Sequence, residues 1–196
     1  MRNDRIGIRS YIAIVLAFVA WLSLDSLAAQ DIAPSAWQQE RSGWKPYLSE
    51  GGKFQVLVPF EMSETVDSAD TPVGKLFNHT FLCKDGPDLN YLITYIDYPP
   101  QAIPPDSLEL HRELLQATLE EEANSSGGEL VYAEDALIEG FSGKIWRINV
   151  PGSRSVIRSR AFIAADRFYI IRTVASRAKA LNPSSDRFLT SFRLLR

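Results

Sequence analysis

The stretch VIRSRAFIAADRFYIIRTV, Val156 to Val174, decides the fold class. Val156 to Ala164 and Phe168 to Val174 are rich in β-branched and aromatic residues, as strands are. They flank Ala165-Asp166-Arg167, so a tight hairpin joins two antiparallel strands. Working back along the chain, Pro151-Gly152 is a turn. Before it, Leu130 to Ile138 and Phe141 to Val150 read as two strands around Glu139-Gly140. Leu89 to Tyr98 is another strand, stopped by Pro99-Pro100, because proline cannot donate to a ladder. Lys75 to Cys83 precedes it across the turn Lys84-Asp85-Gly86-Pro87-Asp88. Lys53 to Pro59 alternates, with Phe54, Val56 and Val58 on one face, and WKPYL before Gly51-Gly52 suits a hairpin partner.

Two helices interrupt the strands. Pro104-Pro105 stops the chain, Asp106 suits an N-cap, and Glu109 would complete a capping box. Leu108, Leu110, Leu114, Leu115 and Leu119 form its apolar stripe, Glu120-Glu121-Glu122 a solvated side, and Asn124 to Gly128 its end. A last helix opens at Asn182-Pro183 and turns Phe188, Leu189 and Phe192 inward. Hairpin-joined strands with two helices predict an α+β fold, an antiparallel β-sheet flanked by helices.

The 196 residues are 45% hydrophobic and 23% charged, which excludes a disordered chain, a coiled coil and a disulfide scaffold. Arg2, Arg5 and Arg9, then an uncharged run from Ser10 to Leu24, then Ser26-Leu27-Ala28, have the three parts of a secretory signal peptide. Residues 1–28 are therefore expected to be a signal peptide cut after Ala28 or Ala29, with a retained membrane anchor as the alternative. Residues 29–43 lack periodicity and read as a linker, and 44–196 as a single domain. The protein is expected in the periplasm, a thylakoid lumen or outside the cell. Cys83 is the only cysteine, so no intrachain disulfide exists there, and its FLC setting suits a small core residue.

The stretch Trp44-Lys45-Pro46-Tyr47, followed by Gly51-Gly52-Lys53-Phe54-Gln55-Val56-Leu57-Val58-Pro59, resembles the opening of Mog1/PsbP-like domains. Arg160-Ala161-Phe162 with Asp166 to Ile171 looks like their central hairpin. Phe188-Leu189-Thr190-Ser191-Phe192-Arg193-Leu194 looks like their closing segment. The resemblance implies an α/β/α sandwich around a curved antiparallel sheet. It also implies a protein-binding role, since PsbP supports photosystem II in the thylakoid lumen and Mog1 binds a small GTPase. An export signal excludes the GTPase role, and no functional residue of the family is matched.

Chemical motifs are sparse. GxSxG, HExxH, Walker and GxGxxG patterns are missing, and His79 and His111 have no ligand-spaced neighbours. No catalytic residue, cofactor or metal ligand is therefore assigned. Charge is more informative. Residues 31–143 hold 20 acidic and 6 basic side chains, whereas residues 144–196 hold 2 acidic and 12 basic ones. The net charge of −3, which speaks against nucleic acid, hides this split. Arg147, Arg154, Arg158 and Arg160 fall on the late strands or turns, with Arg158 and Arg160 on one face. Either they pair with the acidic half, or they form a basic patch for an acidic protein partner or an anionic membrane surface. The expected function is that of a non-catalytic exported accessory protein binding a protein partner. A carrier or sensor of a small apolar ligand is the alternative, and a hydrolase without a recognised motif a remote one.

Overall fold

The computed structural model describes residues 43–71, 74–99 and 102–195. The signal peptide, and all of the linker but Gly43, lie outside the described residues. Ten strands run in chain order: β1 (Lys45–Ser49), β2 (Phe54–Val58), β3 (Ser63–Thr71), β4 (Gly74–Lys84), β5 (Leu89–Asp97), β6 (Glu129–Ile138), β7 (Phe141–Val150), β8 (Ser155–Ala164), β9 (Arg167–Ser176) and β10 (Arg193–Leu194). Helix α1 (Leu108–Ser126) follows β5, and α2 (Pro183–Ser191) precedes β10. The main sheet has seven strands in the order β3-β4-β5-β9-β8-β7-β6, and β1-β2-β10 form a small second sheet. All their pairings are antiparallel, as the α+β reading requires.

Side chains alternate across the main sheet, so it carries a core on each face. On one face α1 covers Trp146, Ile148, Ile157, Ala161, Phe168 and Ile170. On the other, α2 and the small sheet cover Phe81, Tyr91, Ile93, Tyr95, Phe162 and Tyr169. The result is three layers, with the sheet in the middle. Each fully buried Leu, Ile or Phe contributes about 1.5–3 kcal/mol by leaving water.

Local chemistry places the element ends. The β6–β7 connection is the two residues Glu139-Gly140, both at positive φ (53° and 88°), the type I′ geometry that matches strand twist. The β8–β9 turn is also two residues, Ala165-Asp166, since Ala164 pairs with Arg167. Gly127 closes α1 in the left-handed region at φ 59°, with the Gly127 and Gly128 N–H groups donating to the Asn124 and Ala123 carbonyls. Asn182 caps α2, its Oδ1 accepting from the Ser184 N–H at 2.9 Å.

Three readings need correction, and one strand left no signal in the sequence. Strand β3 was not legible, because SETVDSADT lies on a sheet edge and stays largely exposed, so it needs no apolar alternation. Helix α1 is capped at Ser107, not Asp106, without a side-chain capping bond. Leu108 is 57% exposed, off the buried stripe. Glu122 is not solvated: it is 4% exposed and faces the sheet.

Candidate functional site

The four arginines singled out by charge sit on the α2 side of the main sheet or at its end. The register sets Tyr132, Arg147, Arg158, Thr173 and Tyr91 in one row across β6, β7, β8, β9 and β5. Helix α2 covers the Tyr91 end of that row through Phe188, with ring centroids 5.0 Å apart. Arg158 clips α2 to β8, its Nη2 donating to Asp186 Oδ1 at 2.6 Å. Arg160 does the same one step along, its Nη1 donating to the Leu189 carbonyl. Burial and the neighbouring Arg193 pull the Arg160 guanidinium below its ordinary value. Two members of the expected patch therefore hold a helix in place.

Arg147 and Arg154 do not. Arg147 is half-buried with no hydrogen-bond or carboxylate partner among the described residues, and Arg154 is exposed in the β7–β8 turn. Arg154 meets two cations that charge counting passed over. The Arg177 N–H donates to the Arg154 carbonyl at 2.8 Å, and the short 3₁₀ turn Arg177–Lys179 follows directly. Arg177 and Lys179 are exposed, and neither side chain has a partner among the described residues. Their proximity follows from the hairpin: with a two-residue turn at Ala165-Asp166, the residue before Ser155 comes level with the residue after Ser176. Arg154, Arg177 and Lys179 thus make a basic corner at one end of the sheet, with Arg147 on its flank.

The remaining candidates find ordinary structural roles. His79 stacks on Tyr95 (4.4 Å, 9° between planes), and its Nδ1 bonds Glu64 Oε1 at 2.9 Å. Arg167 lies 4.2 Å over the same Tyr95 ring and forks onto Asp97. Burial works against the Arg167 charge, but its bonds to Asp97 and Tyr169 outweigh that and hold it more firmly protonated than usual. Burial pushes the Tyr95 phenol up to about 12, so it stays neutral. Asp85 accepts from Tyr91 Oη at 3.2 Å within its turn. His111 belongs to α1, on the opposite face of the sheet from His79, so no His pair can form. Among the described residues no three His, Cys, Asp or Glu side chains come together as metal ligands.

Cys83 is fully buried, and burial pushes its thiol up to about 11. At pH 8 only about a thousandth of such a thiol is thiolate, the reactive form. Native protein should therefore leave Ellman's reagent unreacted for many minutes at pH 8. Unfolding in guanidinium should release one equivalent at once. A full equivalent from native protein would mean that β4 does not seal this position.

Three layers around an antiparallel sheet, with helices clipped on by side chains, define the class: an α+β domain with a PsbP-like fold. Within it, the chain is similar to PsbP (CyanoP) from the cyanobacterium Synechocystis sp. PCC 6803, known from a solution structure. The TM-score is 0.55 at 12% identity, covering 84% of this chain and 98% of that one. At that identity the likeness shows the fold alone. A protein of unknown function from Pseudomonas aeruginosa matches at TM-score 0.39 and 13% identity, over 74% of this chain and 90% of that one. A protein from Bacteroides thetaiotaomicron VPI-5482 matches at 0.38 and 13%, over 78% of this chain and 48% of that one. No family model matches the chain, and no curated protein does.

Proposed function

We propose that this chain is a non-catalytic, exported accessory protein that docks on an acidic protein partner through its basic corner. The observation that carries the reading is the set Arg154, Arg177 and Lys179, three exposed cations at one end of the sheet that no side chain among the described residues neutralises. Desolvated pairing of such groups steers encounter and fixes orientation. Arg158 and Arg160 contribute indirectly, by holding α2 beside the corner. The non-catalytic reading draws on the separation of His79 and His111 to opposite faces and on the inert setting of Cys83. The exported reading draws on the apolar N-terminal run after Arg2, Arg5 and Arg9.

The test uses an R154E/R177E double variant, which alters only exposed side chains. Cross-linking in native extract should recover a partner with the natural chain, lose it in high salt, and lose it with the variant while the melting curve stays unchanged. Capture that persists in the variant would remove the proposal. Equal loss of binding to vesicles of anionic lipid, with no protein captured, would assign the corner to a membrane surface instead.

A further inference from the structure

A second surface lies on the other side of the sheet and has the opposite charge. Where the β6–β7 hairpin runs alongside the first turns of α1, a crevice of 330 Å³ opens between them. Leu108, Leu115, Ala136 and Leu137 supply its apolar walls, with His111 and Asp135 among the polar groups. Two of those leucines are spent on water in the free protein: Leu108 is 57% and Leu137 77% exposed. Apolar groups this exposed around one concavity mark a contact surface. The volume suits one or two large side chains and lies at the lower end of the range for binding pockets.

The surroundings decide what kind of occupant fits. Glu109, Glu113, Gln116 and Glu120 recur at helical spacing and form one stripe along α1 beside the crevice. Lys144, which lies against that stripe, is taken by Asp135 at 2.7 Å, and the Lys144 bond holds the Asp135 carboxyl below its usual range. Among the described residues that leaves three glutamates against Arg112, which itself lines the crevice. His111 is oriented too: its Nε2–H donates to the Pro104 carbonyl at 3.1 Å. An anion would meet three carboxylates here, whereas a cation would meet acceptors, of which Glu120 Oε1 already takes a bond from Gln116 Nε2 at 2.8 Å.

We infer that this crevice docks a short basic segment of another protein, one large apolar residue seated between Leu108, Leu115 and Leu137 and flanking lysines or arginines set against Glu109, Glu113 and Glu120. The site is independent of the basic corner. A protein with both surfaces bridges an acidic partner and a basic one.

The probes are three fluorescein-labelled peptides, KKLFKK, KKGGKK and EELFEE, followed by fluorescence polarisation at low salt. KKLFKK should bind saturably, with a Kd on the order of 10–100 μM for so small a contact. KKGGKK and EELFEE should each bind at least about tenfold more weakly, since each lacks one half of the recognition. Leu137→Asp and the E109K/E120K double variant change exposed side chains and should each weaken KKLFKK about tenfold or more. R154E/R177E should leave it unchanged. Equal binding of KKGGKK would reduce the surface to general acidity and overturn the inference. So would equal binding of EELFEE, which would make the crevice an apolar pocket, or loss of KKLFKK binding only in R154E/R177E. Absence of saturable KKLFKK binding overturns it as well.

Discussion

Replacing Glu122 by alanine is expected to lower the unfolding free energy by about 3–5 kcal/mol, the usual consequence of stranding one half of a buried ion pair. Glu122 projects from the last turns of α1 onto three neighbours in one row of the sheet, Trp146, Ser159 and Arg172. Its Oε2 accepts from Trp146 Nε1 and, at 3.0 Å, from Ser159 Oγ, while Oε1 pairs with Arg172 Nε. A carboxylate so near a helix C-terminus meets the negative end of the helix dipole, so the guanidinium opposite it is what makes the position tolerable. Arg172 is itself buried, and among the described residues its Nη2 finds no acceptor. Without Glu122 a full positive charge would remain under α1 with no counter-charge. Total stability of a domain this size is about 5–15 kcal/mol, so the loss is a large share of it. Urea unfolding measures it. Glu122→Gln, which keeps the acceptor but not the charge, should fall between alanine and the natural chain. The E122L/R172M pair should regain most of the loss, because apolar replacements of similar volume need no counter-charge. A cost under about 1 kcal/mol for E122A would mean that water reaches the pair and that α1 sits less closely than described.

The same residue shows where sequence reading stops. Glu120-Glu121-Glu122 looks uniform, yet a helix turns successive residues by about 100°, so three adjacent positions cannot share an environment. Which of them faces inward depends on where α1 lies on the sheet, and that is a tertiary fact. The hairpin from Val156 to Val174 was legible because both strands are buried and their apolar residues are continuous. The α2 cap was legible because Asn182-Pro183 is a local signal. Strand β3 left no trace, since an exposed edge needs neither apolar residues nor alternation. The basic patch was half legible. Charge counting found Arg154 and Arg158 but could not separate an arginine that bonds Asp186 from one whose side chain has no partner among the described residues. The pairing of Arg154 with Arg177 was available from the hairpin register, which brings the start of β8 level with the end of β9.

Gly143→Ala is expected to be the most damaging single-methyl addition in the main sheet, costing about 1–3 kcal/mol as overpacking does elsewhere. Gly143 pairs with Ala136 on β6 and Phe162 on β8, so its backbone is held from both sides. A β-carbon there would overlap the Ala161 carbonyl oxygen and come within 2.9 Å of both Phe162 Cβ and Ile138 Cδ1. The carbonyl cannot swing aside, because β8 is itself bonded into the sheet between β7 and β9. Two other glycines isolate the cause. Gly140 has open space around it but φ 88°, so alanine there should cost about 1–2 kcal/mol through backbone strain alone. Gly152 has open space and no positive φ, so alanine should be neutral or should stabilise by about 0.4–1 kcal/mol by restricting the unfolded chain. Thermal melts of the three variants give the order directly. If G143A proves as mild as G152A, β7 and β8 do not pair in the register that sets Gly143 against Phe162. The same register sets Arg147 beside Arg158, and the flank of the basic corner would have to be redrawn with it.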